Sequence, residues 1–149
     1  MKLCLVCSSG GHALELFSIK KAWEKHPRFW ITFPSADTDA MLCGEKKYYA
    51  HHPTNRSIKN LVRNLFLAVK ILRNEKPDII ISTGAGVAVP FILCGRWLKI
   101  KTVYIESLTR IKGLSLSGRL IYPFTDYFLV QWPELCRKYP KARYEGQVV

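Results

Sequence analysis

The chain has 149 residues, enough for one domain with a full core, and its 48% hydrophobic and 23% charged residues are ordinary for a globular protein. Its net charge of +12 is not ordinary and points to an anionic partner: nucleic acid, a phospholipid surface or a polyanionic substrate. Nucleic acid is disfavoured because no helix-turn-helix, zinc-finger spacing or RNP-type aromatic box is visible, and no apolar run reaches the ~20 residues that span a bilayer.

The first strand is read at Leu3-Cys4-Leu5-Val6, with no signal-peptide pattern before it, so secretion is not expected and membrane contact is expected to be peripheral. Cys4 and Cys7 form a C-x-x-C, but side chains alternate along a strand, so they point to opposite faces and are not expected to share a disulfide or a zinc ion. Together with the scattered Cys43, Cys94 and Cys136 they read as reduced thiols of a cytoplasmic protein.

Ser8-Ser9-Gly10-Gly11-His12 follows that strand and opens a helix predicted to run to about residue 25, with Leu14, Phe17 and Ala22 on its buried side. A strand, a tight small-residue turn and a helix N-terminus make an anion site, since the backbone comes close to a ligand and free N–H groups point at it. A structural turn uses the same glycines, and neither the dinucleotide nor the Walker fingerprint is complete. His12 stands at the mouth of the turn, where a titratable imidazole meets a substrate hydroxyl.

Residues 28–33 read as the second strand. Asp37-Thr38-Asp39 is a D-x-D triplet; such a triplet holds a divalent metal on a sugar nucleotide in one class of glycosyltransferase, but its place before a short helical patch favours capping, and no metal site is expected. Residues 46–50 read as a third strand, followed by a loop at His51 and His52 without a third ligand at metal spacing. Residues 57–74 give the clearest helix. Ile58, Leu61, Val62, Leu65, Val69 and Leu72 are expected to face the sheet, and Lys59, Arg63, Lys70 and Asn74 the solvent. Leu67 and Ile71 fall among those charges, which suits either an interfacial membrane contact or a protein partner.

Residues 78–82 form a continuous apolar strand, as a parallel sheet covered on both faces requires. Thr83-Gly84-Ala85-Gly86 is a second glycine turn, and a nearly all-apolar helix follows at residues 87–98. The next strand, residues 101–105, carries Glu106-Ser107 at its C-terminal end, the edge where open α/β sheets bind ligands. Glu106 is a candidate base or sugar-hydroxyl acceptor, or else a carboxylate capping a loop N–H. Arg110, Lys112 and Arg119 follow within reach of phosphates. Strands at residues 126–130 and 142–146 complete an α/β pattern: a Rossmann-like, doubly wound, mainly parallel sheet forming one domain over residues 1–149.

Four motifs, Ser8 to His12, Ser82 to Gly86, Tyr104 to Ser107 and Glu145 to Val148, come in an order that resembles PssD-like exopolysaccharide proteins and the eukaryotic asparagine-linked glycosylation protein 14 family. More distantly the chain resembles the N-terminal half of MurG, although Ser8 and Ser9 replace some glycines of the MurG loop. The resemblance implies the acceptor-binding and membrane-recruiting half of a split GT-B glycosyltransferase, at the cytoplasmic face of the membrane. A PssE-like donor-binding subunit would supply most of the UDP-sugar site, so the UDP-sugar is a substrate and no cofactor is expected.

The implied acceptor is a polyprenyl-diphosphate-linked sugar. Its diphosphate would meet Ser8, Ser9, Gly10, Gly11, Gly84, Gly86, Ser107 and Arg110, and an anionic membrane would meet Lys59, Arg63, Leu67, Lys70 and Ile71. The reaction implied is a metal-independent, inverting transfer of an N-acetylglucosaminyl, glucosyl or galactosyl unit, in polysaccharide or glycan-lipid synthesis. His12 is placed first as base and Glu106 second. The rival readings are a non-catalytic scaffold for the donor subunit and a nucleotide- or RNA-binding α/β module.

Overall fold

The computed structural model describes residues 1–54 and 57–148; Asn55, Arg56 and Val149 lie outside the described residues. Seven strands, β1 (Leu3–Val6), β2 (Arg28–Thr32), β3 (Lys47–Tyr49), β4 (Ile79–Ser82), β5 (Lys101–Ile105), β6 (Tyr127–Val130) and β7 (Ala142–Tyr144), form one sheet in the order β3-β2-β1-β4-β5-β6-β7. Every pairing is parallel. The expected Rossmann-like architecture is present, and the order reverses between β1 and β4, the position at which doubly wound sheets bind ligands.

The helices are α1 (Gly11–Ser18), α2 (Lys20–Trp23), α3 (Ala36–Met41), α4 (Ile58–Glu75), α5 (Ala88–Trp97), α6 (Leu116–Ile121) and α7 (Leu135–Lys138). Strand alternation sends Cys4 and Val6 to the face that packs against α4, α5 and α6, and Leu3, Leu5 and Cys7 to the face under α1 and α2. Cys4 and Cys7 therefore lie in separate cores, and all five cysteines are free. On the second face Phe17 stacks on Trp30 and Trp23 meets both edge-on.

Three expectations need correction. The first helix breaks after Ser18, and its buried residues are Ala13, Glu15, Leu16 and Trp23, leaving Leu14 and Ala22 in solvent. The strand at β4 is not covered on both faces: beyond α1, the sheet face carrying Ile79, Ile81, Val103 and Leu129 is only half-buried. The largest difference is the rotation of α4.

The buried side of α4 is Asn60, Asn64, Ala68, Ile71, Leu72 and Glu75. Ile71 is 4% exposed and belongs to the core, and Leu67 is half-buried against it, so neither stands free among the cations. Ile58 and Phe66, by contrast, are 78% and 75% exposed, and Val62 is exposed with them. Lys59, Arg63 and Lys70 face solvent as expected. Polar anchors explain the rotation. Asn64 donates to the His51 carbonyl at 3.0 Å and accepts the His51 N–H at 2.8 Å, and Asn60 donates to the Pro53 carbonyl at 2.8 Å. These bonds pair partly buried backbone groups of the β3–α4 loop with side chains of the helix.

At the other end of α4, Glu75 accepts Lys2 Nζ at 2.6 Å, Lys46 Nζ and the Tyr48 hydroxyl, tying the helix to the start of β1 and to β3. The Lys2, Lys46 and Tyr48 donors hold the Glu75 carboxyl down to about 2, below its ordinary 4.5. Depression below the unfolded value means the stabilisation is complete above pH 4.5 and is lost as pH falls toward 2. Allowing for the exposed lysines, Glu75→Gln should cost roughly 1–2 kcal/mol at pH 7 in urea unfolding, and its deficit relative to the parent should shrink between pH 5 and pH 2.

Candidate functional site

The two glycine turns follow neighbouring strands, so they meet at one rim of the sheet. Two hydrogen bonds join them: the His12 Nδ1–H donates to the Thr83 carbonyl at 2.9 Å, and the Thr83 hydroxyl donates to the His12 carbonyl at 2.6 Å. A carbonyl has no hydrogen to give, so Nδ1 carries the proton and Nε2 is the lone-pair nitrogen of the neutral ring. The side chain is 32% exposed.

Gly84 lies under the ring, with φ +124°; a Cβ there would stand 3.1 Å from His12 Nδ1 and Cε1 and 3.2 Å from the Tyr104 hydroxyl. The glycine is required both for its backbone conformation and for this close approach.

His12 opens onto a cleft of about 870 Å³. Its polar floor includes Tyr104, Glu106, Ser107 and Ser115, and Arg110 lines the same space. Its apolar wall comprises Ile58 and Leu61 of α4, Val89 of α5, and Leu116 and Leu120 of α6. Ile58, Leu116 and Leu120 are exposed, so the lip of the cleft is greasy while its floor is polar. The Arg110 side chain is exposed and forms no ion pair among the described residues.

Glu106 is 1% exposed. It accepts the Ser107 N–H at 3.0 Å, the Ser115 N–H at 3.0 Å, the Ser115 hydroxyl at 2.9 Å and the Tyr104 hydroxyl at 3.3 Å. Ser115 caps α6 by accepting the Gly118 N–H, and a Cβ on Gly118 would collide with the Glu106 carboxylate. These are the contacts of a carboxylate that binds loop N–H groups and holds α6 at the cleft edge. Burial, with the charge of Glu106 nearby, pushes the Tyr104 phenol well above its ordinary range, so it stays a neutral donor.

Of the residues singled out from the sequence, the cleft gathers His12, Gly86, Glu106, Ser107 and Arg110, with Gly84 directly behind the His12 ring. Ser8, Ser9, Gly10 and Gly11 do not line it; they form the rim behind His12, where α1 begins without a side-chain cap. Asp37 and Asp39 are engaged locally, Asp37 with the Ser35 hydroxyl that caps α3 and Asp39 with the Tyr49 hydroxyl at 2.6 Å.

Glu15 and Ser115 escaped the sequence reading, and Thr83 and Tyr104 entered it only as members of their motifs, with no part in the site assigned to either. Only Glu15 had a local signal, lying three residues after His12 on one helix face. Its carboxylate is the main cause that raises the His12 pKa above 6.5, with the Thr83 carbonyl and Glu106 adding to it and burial opposing it. Gly84→Ala should destabilise the fold by about 1–3 kcal/mol in urea and displace the His12 ring, read as a changed imidazole NMR signal.

A family model described as "Oligosaccharide biosynthesis protein Alg14 like" matches residues 45–148. The UDP-N-acetylglucosamine transferase subunit ALG14 of Homo sapiens is 30% identical, over 100% of this chain and 83% of that relative. The corresponding subunit of Yarrowia lipolytica is 30% identical, over 99% and 81%. Among solved structures, MurG of Acinetobacter baumannii superposes with a TM-score of 0.73 at 17% identity, over 89% of this chain and 42% of MurG. UDP-GlcNAc 2-epimerase of Neisseria meningitidis, bound to UDP-GlcNAc, gives 0.76 at 17% identity, over 99% of this chain and 47% of the epimerase. At such identities the two structures share the fold, and this chain spans less than half of each.

Proposed function

The chain belongs to the family of Alg14-like oligosaccharide biosynthesis proteins, and from that premise we propose that it is the acceptor-binding subunit of a two-component glycosyltransferase. A UDP-sugar, held mainly by a separate PssE-like subunit, is the donor, and a polyprenyl-diphosphate-linked sugar is the acceptor. The observation that carries this reading is the His12 ring, anchored between two glycine turns at the floor of a cleft whose lip is apolar. An amphiphilic acceptor fits such a cleft: its sugar and diphosphate toward His12, Ser107 and Arg110, its hydrocarbon toward Ile58, Leu116 and Leu120.

In this reaction the acceptor hydroxyl oxygen bonds to the anomeric carbon as the bond from that carbon to UDP breaks, inverting the centre. UDP leaves with the electron pair, and His12 Nε2 takes the hydroxyl proton. Glu106 is already engaged by four donors, which favours a structural part in shaping the acceptor side over proton transfer. The half-open sheet face at Ile81, Val103 and Leu129 offers the donor subunit an apolar place to dock.

The protein works peripherally at an anionic, cytoplasmic membrane face. Among the described residues no helix is long and apolar enough to cross a membrane. Ile58, Val62 and Phe66 of α4 and Leu116 of α6 project beside Lys59, Arg63 and Arg119, and the +12 charge favours anionic lipid.

With the donor subunit, UDP-N-acetylglucosamine and the lipid-linked acceptor reconstituted in vesicles, His12→Ala should lower kcat by about 10²–10⁴-fold while the complex still forms. Turnover at the parent rate would remove His12 as base and favour the scaffold reading. Ile58→Asp with Phe66→Asp should weaken sedimentation with anionic vesicles by about tenfold or more at unchanged Tm. Ile71→Asp should instead unfold the protein, because it buries a charge in the core.

A further inference from the structure

We propose that Glu15 is the positioning residue for His12: its buried carboxylate stabilises the imidazolium formed when the ring takes the acceptor proton. The proposal rests on the reading of His12 as base.

Glu15 is 8% exposed and lies one turn after His12 on α1. Its Oε1 accepts the Leu108 N–H at 3.1 Å and the Ser107 hydroxyl at 3.4 Å, which fastens the loop after β5. Those bonds account for one oxygen only. Oε2 is buried without a hydrogen-bond partner among the described residues, and it stands 3.8 Å from His12 Nδ1. That distance is too long for a hydrogen bond and short for two charges in a poorly solvated site. A carboxylate oxygen kept from water without a donor is costly, and a cation on the adjacent ring offsets the cost.

The groups facing the ring divide the work. The Thr83 carbonyl, from the turn after β4, takes the Nδ1 proton and sets the tautomer. Glu106 and the Tyr104 hydroxyl approach from β5, but Glu106 is already engaged by Ser107, Ser115 and Tyr104. Arg110 lines the same cleft from the loop after β5, with its side chain exposed. Glu15 is thus the acid nearest the ring whose charge is incompletely spent.

When the acceptor hydroxyl attacks, its proton passes to Nε2 and the ring becomes a cation still donating from Nδ1 to Thr83. The negative charge leaves with UDP. Glu15 makes that cation less costly and so makes Nε2 a stronger base. Glu15 does not line the cleft, and a glutamine in its place keeps an oxygen for the Leu108 N–H and the Ser107 hydroxyl, so the loop that meets the acceptor stays fastened and the loss of charge falls on the proton transfer.

The test is Glu15→Gln, which keeps an acceptor for Leu108 but loses the charge. The His12 midpoint is followed by NMR titration of the imidazole, and kcat and KM are measured across pH in the reconstituted complex. In the parent protein the midpoint should lie above 6.5. In Glu15→Gln it should move to lower pH, and the acid limb of the rate profile should move with it. The high-pH kcat should fall about 10–100-fold with the acceptor KM unchanged.

Glu15→Asp, which keeps the charge at greater distance, should fall between the two and serves if the Gln variant folds poorly. A parent midpoint at or below 6.5, or a folded Glu15→Gln protein with an unmoved midpoint, overturns the role of Glu15. Full turnover of His12→Ala overturns instead the base reading on which it rests.

Discussion

Two hydrogen bonds between His12 and Thr83 hold the functional rim together. They cross from the turn after β1 to the turn after β4, the point where the strand order reverses. Through them the ring is fixed in place, its proton is assigned to Nδ1, and both glycine turns face one cleft. Gly84 is the condition for this arrangement, since its φ of +124° disfavours any side chain and a Cβ there would press on the ring and on the Tyr104 hydroxyl. The site is thus a consequence of parallel-sheet topology made specific by one anchored side chain.

Two buried carboxylates stand beside that ring, and their surroundings separate them. Glu106 is surrounded by donors from Tyr104, Ser107 and Ser115, and its charge is spent on ordering the cleft wall and the start of α6. Glu15 shares one oxygen with the same loop and leaves the other facing His12. Carboxylates close in space thus differ in use according to how many donors reach each oxygen.

The long helix α4 serves two environments. Its inner side is held by Asn60, Asn64 and Glu75, polar side chains that satisfy loop backbone and clamp β1 and β3. The apolar stripe released by that arrangement, Ile58, Val62 and Phe66, turns outward beside the cleft mouth and the cations of the same helix. Ala68, Ile71 and Leu72 stay inside, yet the first turns of the helix bury Asn60 and Asn64 and expose Ile58, Val62 and Phe66, so its outer face carries apolar side chains among its cations.

The α/β alternation, the parallel sheet, the two glycine turns and the candidacy of His12 were all legible in the residues alone, because strand periodicity, glycine turns and helix stop signals are local. Cys4 and Cys7 were separable for the same reason, since alternation sends neighbouring odd and even positions to opposite faces. The break after Ser18, the rotation of α4, the burial of Ile71 and the half-open face at Ile81 were not legible. The rotation of α4 and the burial of Ile71 depend on bonds from Asn64 to His51 and from Glu75 to Lys2, between residues 13 and 73 positions apart. Hydrophobic periodicity says which side of a helix prefers to be dry, whereas the tertiary structure decides which polar groups must be satisfied first, and an unpaired buried backbone group costs about as much as burying a leucine side chain gains. The same separation hid Thr83, Tyr104 and Ser115 from the site: what each contributes is a distance to another strand, and only the folded sheet sets that distance.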